Sequence, residues 1–214
     1  MRYDAVIFDL DGTLLDTESL ALAAGQRAAE RIGQTMSRDF FLTLVGGDKA
    51  GGDTKLAAAF GADNLDAFNT AWHEEHLTLM ASGIALRPTV LELLDHLDAR
   101  GLPQAIATSS HRKGAGLKMA AAGLTGRFTT IVTRDCVQNP KPHPDPYLTA
   151  AAKLGIAPER CLAFEDSTPG VRAARAAGMT VVLVPDLAPV EDGQAHYTAP
   201  DLMTGARMAG LAVF

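Results

Sequence analysis

The feature that most constrains this chain is a set of four short, mainly apolar runs: Ala5–Phe8, Gln104–Ala107, Leu162–Phe164 and Val181–Val184. The first three end directly in polar residues, and a weaker fifth run lies at 130–133. Apolar runs of this length are typical of strands that are buried on both faces of a sheet. We therefore predict that these runs form the central strands of one sheet.

The segments between the predicted strands have helical periodicity and recognisable ends. Three of them, 88–99, 145–154 and 169–177, are each followed within two residues by a glycine, which is the residue that most often ends a helix. Strands that alternate with helices of this length form βαβ units and therefore a parallel sheet. The sequence predicts an α/β fold, with a Rossmann-like parallel sheet core flanked by helices.

Residues 16–83 interrupt this alternation, because they contain helix signals and no convincing strand. Helices are expected from Thr17 to Ile32, from Ser37 toward Val45 and from Asp63 to Met80, with two glycine pairs at 46–47 and 51–52 between them. We predict a small all-helical cap domain, 16–83, inserted into a catalytic core formed by 1–15 and 84–214. The stretch from 185 to 200 is expected to be a loop.

Composition and charge limit the classes of function. The 214 residues are 47% hydrophobic, enough to bury a core, and the formal net charge of -6 argues against general binding to nucleic acid or to anionic membranes. No run of about 18 apolar residues occurs, and Cys136 and Cys161 form no CxxC motif. We expect a cytoplasmic protein, a monomer or weak homodimer, with neither a nucleic-acid nor a membrane partner.

Acidic residues follow two of the predicted strands. Asp9 and Asp11 come directly after the first, and Glu165 and Asp166 lie at the end of the strand that begins at Leu162. In a parallel sheet these strand ends share one edge, where open α/β folds bind their ligands. Such acids can also be simple helix caps or solvated turns, but four carboxylates at one edge repel one another. An all-oxygen set favours Mg²⁺ as the compensating cation.

A lysine and a hydroxyl cluster could complete a phosphate site at the same edge. Lys141 lies in a loop with four prolines, which restrict its backbone, and its charge would offset a phosphate among carboxylates. Thr108 and Ser109 lie between a strand and a predicted helix, where hydroxyls and N–H groups either bind a phosphate or simply cap the helix. The motifs GxGxxG, GxxxxGK[ST], GxSxG and HExxH do not occur.

Together these motifs closely resemble the haloacid dehalogenase superfamily. DLDGTLLDTE, ATSS, KPHPDPY and FEDSTPGVRAARAAGM stand in the family's order, and 16–83 resembles the helical cap of its β-phosphoglucomutase-like phosphatases. The resemblance implies that Asp9 is a nucleophile forming a phosphoaspartyl intermediate and that Asp11 is the acid and base. It also implies phosphate contacts from Thr108, Ser109 and Lys141, and a Mg²⁺ site formed by Asp9, the Asp11 carbonyl and Asp166, with Glu165 a weaker ligand.

This sequence differs from the patterns of two groups within the superfamily. Asp11 argues against carbon–halogen cleavage, because the dehalogenases lack this second acid. Ala21 occupies the position of a cap histidine in β-phosphoglucomutases, which argues for a hydrolase of a small phosphorylated metabolite, such as a sugar phosphate or a nucleotide-like compound. A sugar-phosphate mutase is the alternative enzyme, and a phosphoacceptor signalling domain is the alternative of another class.

Substrate contacts are harder to predict than the catalytic residues. Lids commonly select substrates by closing over the leaving group, which directs attention to polar residues in 16–83. The candidate substrate contacts are Glu18, Lys49, His73 and His76, together with His111 at the edge of the core. Trp72 is expected to pack inside the cap.

Overall fold

The computed structural model describes residues 3–47, 49–187, 190 and 193–211. Its contacts divide the chain into two compact units, one formed by 1–16 with 85–214 and the other by 17–84. The domain boundaries predicted from the sequence lie one residue earlier at each junction. We call the first unit the core and the second the cap, and describe each by itself.

Six strands in the described part of the core form one parallel sheet. In chain order they are β1 (Ala5–Phe8), β2 (Gln104–Ala107), β3 (Thr130–Val132), β4 (Cys161–Glu165), β5 (Thr180–Leu183) and β6 (Tyr197–Thr198). Their order across the sheet is β3-β2-β1-β4-β5-β6. The predicted α/β fold is therefore confirmed. The expected loop at 185–200 was partly wrong, because the two residues of β6 pair with β5; so short a strand leaves no periodicity to detect.

The helices are numbered through the whole chain. The cap contains α1 (Thr17–Arg31), α2 (Arg38–Leu42), α3 (Lys49–Phe60) and α4 (Leu65–Ala81), and the core contains α5 (Val90–Ala99), α6 (Arg112–Ala121), α7 (Asp145–Leu154), α8 (Thr168–Ala176) and α9 (Leu202–Met208). Within the described residues, none of these helices is both long and apolar enough to cross a membrane.

Alternation along β1 supplies both layers of the core. Ala5 and Ile7 belong to a buried cluster with residues of α7 and α8 on one face of the sheet. Phe8 instead stacks on Phe164, with ring centroids 5.3 Å apart, and meets Phe128 edge to face at 6.3 Å. Because side chains alternate along a strand, a wholly apolar strand needs helices on both faces. Burial on both faces explains why these strands could be predicted from apolar runs in the sequence.

The cap forms its own core around α1 and α4. Small residues of α1 allow a close approach, since a Cβ atom added at Gly25 would lie 2.7 Å from the Met36 sulfur and 3.3 Å from the Trp72 ring. Trp72 packs against Phe68 at 5.3 Å and Phe41 at 6.3 Å, as expected for a packing residue. Its indole N–H donates to the Ala21 carbonyl at 3.0 Å.

The sequence did not predict α3, because the glycine pair 51–52 lies inside it rather than between helices. Glycine is unfavourable in a helix interior by roughly 1 kcal/mol relative to alanine. Leu56 and Phe60, four residues apart on one face of α3, are nevertheless buried, and Phe60 packs on Phe68 with ring centroids 5.0 Å apart. Tertiary burial of this face therefore outweighs the local preference.

Candidate active site

Strand ends bring the predicted acids to one edge of the sheet. Asp9 follows β1, and its backbone N–H donates to the Phe164 carbonyl at 3.0 Å. Glu165 is the last residue of the neighbouring β4, and Asp166 follows it directly. Carboxylate oxygens of Asp9, Glu165 and Asp166 all lie within 4.8 Å of one another. The parallel pairing of β1 with β4 is thus the reason that residues more than 150 positions apart form a single acidic cluster.

Lys141 lies between two of these carboxylates. Its ammonium donates to Asp9 Oδ1 and, at 2.5 Å, to Glu165 Oε1, and its side chain is only 4% exposed. Burial alone would lower the pKa of Lys141, but the adjacent negative charges of Asp9 and Glu165 outweigh burial and raise this pKa above its ordinary value. The lysine is therefore a fixed positive charge within the cluster.

Glu165 is fully buried and has donors on both oxygens. Tyr147, a residue of α7, donates its hydroxyl to Oε1 at 2.7 Å beside Lys141. Oε2 accepts the backbone N–H of Asp166 at 3.2 Å and the Ser167 hydroxyl at 3.1 Å. These four hydrogen bonds, two on each oxygen, leave the carboxylate fixed in one orientation. Sequence reasoning missed Tyr147, although it ends the quoted KPHPDPY motif.

The acidic cluster contains more negative charge than Lys141 can offset. Burial raises the pKa of Asp9 to about 7, with the Glu165 and Asp11 carboxylates adding to the rise and Lys141 opposing it. Burial also raises the pKa of Asp166 well above its ordinary range, again reinforced by the neighbouring acids. A buried set of oxygen donors with excess negative charge is suited to a hard divalent cation. The residues present therefore fit such an ion.

Asp166 is held by the turn that follows Asp11. The Thr13 hydroxyl donates to Asp166 Oδ1 at 3.1 Å. Gly12 has φ +78°, and a Cβ atom there would lie 2.2 Å from Asp166 Oδ2. Only glycine satisfies both the backbone angle and the close approach, which explains the Gly-Thr pair after Asp11.

Asp11 forms a second network with the end of β2. Its Oδ2 accepts the Ser110 hydroxyl at 2.7 Å, and the Ser110 backbone N–H donates to the Thr108 hydroxyl at 3.0 Å. Its Oδ1 accepts Lys118, from α6, at 2.6 Å. Thr108 is buried and Ser109 is exposed. The bonds of Ser110 and Lys118 to Asp11 were not predicted, because they join residues 99 and 107 positions apart, and no local pattern links residues at that separation.

Of the five candidate substrate contacts, His111 lies in the core and the other four lie in the cap. The His111 side chain is 76% exposed, and its Nδ1 lies 2.6 Å from the acceptor oxygen Oδ1 of Asp135. In the cap, Lys49 pairs with Asp53 at 2.5 Å and is 83% exposed. His73 and His76 line a cavity of about 300 Å³ together with Trp72. Glu18 lies in the first turn of α1.

Comparison with known proteins identifies the family. A model of the haloacid dehalogenase-like hydrolases matches residues 6–184. The chain belongs to this family. The predicted resemblance and the enzyme class, a haloacid dehalogenase-like phosphatase, are confirmed at this level.

Individual relatives match over nearly the whole chain. A phosphorylated carbohydrates phosphatase of Thermotoga maritima is 34% identical over 177 residues, 82% of each chain. The structure of a candidate β-phosphoglucomutase, also from Thermotoga maritima, has a TM-score of 0.82 at 29% identity and covers 98% of this chain and 100% of its own. A family hydrolase of Deinococcus radiodurans, with bound phosphate and sodium, has a TM-score of 0.81 at 31% identity, covering 98% and 96%.

Proposed function

We propose that this protein is a Mg²⁺-dependent phosphatase of small phosphorylated carbohydrates that acts through a phosphoaspartyl intermediate on Asp9. The observation that supports it most strongly is the contact of one buried lysine, Lys141, with both Asp9 and Glu165 beside Asp166. The carbohydrate class rests on the Thermotoga maritima phosphatase, and the phosphate bound in the Deinococcus radiodurans relative supports the binding of a phosphoryl group.

In the first half-reaction, a carboxylate oxygen of Asp9 attacks phosphorus, and the bond from phosphorus to the ester oxygen breaks. Asp11, which enters this step as the protonated acid, donates its proton to that oxygen, so the product leaves as a neutral alcohol and Asp11 becomes a carboxylate. Lys141 holds Asp9 in place and offsets negative charge on the transferred group. Thr108 and Ser109 bind the non-bridging oxygens of the transferred phosphoryl group. Alignment and charge neutralisation are the main requirements of phosphoryl transfer.

In the second half-reaction, water attacks the same phosphorus atom and the bond to Asp9 breaks. Asp11 accepts the proton of that water, which returns both aspartates to their starting states and releases inorganic phosphate. Asp9, Asp166 and the Asp11 carbonyl would hold Mg²⁺, which when bound supplies positive charge to the attacking carboxylate and to the phosphoryl oxygens. We assign Glu165 to holding Lys141, because donors already occupy both of its oxygens.

The test is release of inorganic phosphate from a panel of sugar phosphates, nucleoside monophosphates and other phosphomonoesters, with and without Mg²⁺. We expect Asp9→Asn to lower turnover by about a thousandfold or more, as loss of a nucleophile does, while circular dichroism shows an intact fold. Undiminished turnover in this variant would overturn the assignment of the nucleophile. Identification of the organic product separates hydrolysis from the isomerisation that a mutase performs.

A further inference from the structure

Both oxygens of Asp11 are held by side chains from a different part of the core. Lys118 donates to Oδ1 at 2.6 Å, Ser110 donates to Oδ2 at 2.7 Å, and Lys118 also donates to the Ser110 hydroxyl at 3.0 Å. The three groups form a closed triangle of hydrogen bonds. A carboxylate bound in this way cannot rotate without breaking at least one charge-assisted bond.

Lys118 differs from an ordinary surface lysine on the same helix. Its side chain is only 21% exposed, and it lies next to the buried residues Ala115 and Met119 of α6. Lys113, about one and a half turns earlier on the same helix, is exposed. Side chains on a helix tilt toward its N-terminus. The four-carbon stem of Lys118 therefore extends back toward Ser110, at the N-terminal end of α6, where the ammonium meets Asp11.

We propose that Lys118 is a positioning residue for proton transfer by Asp11. This inference rests on the proposed role of Asp11 as acid and base. Proton transfer requires the carboxyl oxygen within about 2.6–3.2 Å of the atom that gains or loses the proton. Asp11 is 30% exposed on its side chain, so it has room to turn, and the bonds from Lys118 and Ser110 fix its orientation.

The chemistry of the leaving group provides a test that is specific for this role. An alkyl phosphate needs a proton on its departing oxygen, whereas p-nitrophenyl phosphate releases a stable phenolate without one. The ratio kcat/KM reports the steps up to transfer of the phosphoryl group to Asp9. A displaced Asp11 should therefore lower kcat/KM for the alkyl substrate far more than for the aryl substrate.

The experiment compares Lys118→Met with Lys113→Met, a matched control on the same helix. The two substrates are a sugar phosphate that the wild-type enzyme hydrolyses and p-nitrophenyl phosphate. We expect Lys118→Met to lower kcat/KM about 10- to 100-fold for the sugar phosphate, the size expected for a misplaced catalytic group, and no more than about threefold for the aryl phosphate. Lys118→Arg should restore part of the loss, and Lys113→Met should change neither value.

Equal losses on both substrates, or no loss on either, would overturn the proposal. Thermal melting shows whether Lys118→Met is folded; if it is not, Ser110→Ala, which removes two of the three bonds of the same triangle, must show the same difference between substrates. The failure of the proposed function has another signature, because it would appear as full activity in Asp9→Asn. The two outcomes are therefore distinguishable.

Discussion

Lys141 in the core is 4% exposed and contacts two carboxylates, whereas Lys49 in the cap is 83% exposed and contacts one. Arg31 of the cap also pairs at the surface, with Glu74 at 2.7 Å and Glu75 at 3.3 Å, and its side chain is 46% exposed. Exposed pairs of this kind contribute little to stability, because water and salt screen them. Charge is buried in the core at the proposed reaction site, and the cap pairs its charges in solvent.

This difference explains why the acidic residues at the sheet edge could be located in the sequence, whereas polar residues of the cap could only be named as candidates. A buried charge needs partners, and those partners lie at strand ends that can be located in the sequence. An exposed histidine such as His73 meets no such requirement, so its neighbours leave no pattern. Mutation of matched residues in the two units tests this contrast directly.

The largest effect is expected from Lys141→Met. This change leaves Asp9 and Glu165 as buried acids without their cation, which should destabilise the protein by about 3–5 kcal/mol and abolish phosphate release. Urea unfolding monitored by circular dichroism measures the change. Lys49→Met in the cap should leave the urea midpoint where it is; similar shifts in both variants would remove the contrast between the units.

Addition of Mg²⁺ should stabilise the protein more at about pH 7.5 than at about pH 5.5. The pKa of Asp9 is about 7 in the folded state and about 3.9 when unfolded. The metal-free folded state therefore binds the extra proton between these values, and its stability falls as pH rises through that window. Mg²⁺ competes with this proton, and at a hundredfold excess over its Kd it adds about 2.7 kcal/mol.

Melting temperatures in chelator and in Mg²⁺ at the two pH values measure this effect. Asp53→Asn, which alters an acid of the cap, should leave the Mg²⁺ effect unchanged. A stabilisation by Mg²⁺ that is independent of pH would show that the ion binds elsewhere.

Gly170→Ala should destabilise the core by about 1–3 kcal/mol, the usual range for overpacking. A Cβ atom on Gly170 would lie 1.9 Å from the Glu165 carboxyl group, which cannot yield because Lys141 and Tyr147 hold it. Chemical denaturation gives the size of the loss. A neutral result would mean that Glu165 moves freely, contrary to its role in holding Lys141.

Gly52→Ala in the cap should have the smallest effect and the opposite sign. Gly52 lies inside α3, and an added Cβ atom meets nothing within 4 Å. Alanine favours the helix there by about 0.5–1 kcal/mol, so the melting temperature should rise slightly. A fall would contradict the open surroundings of Gly52.

Local patterns predicted most of the fold, and the exceptions have physical causes. The buried strands of the core left continuous apolar runs, and α7 was predicted with the bounds it has, 145–154. The helix α3 was missed because its glycines disfavour a helix locally, while the contact of Phe60 with Phe68 exists only in the folded cap. The strand β6 was missed because two residues define no period.

The sequence by itself determined the α/β core, the inserted helical block and the acids that follow β1 and β4, because burial on two faces and polar strand ends are local properties of the chain. Only the tertiary structure decided which donors hold those acids. Tyr147 on Glu165 and Lys118 on Asp11 depend on where α7 and α6 pack against the sheet. A hydrogen bond between distant residues is a property of that packing, and no spacing along the chain encodes it.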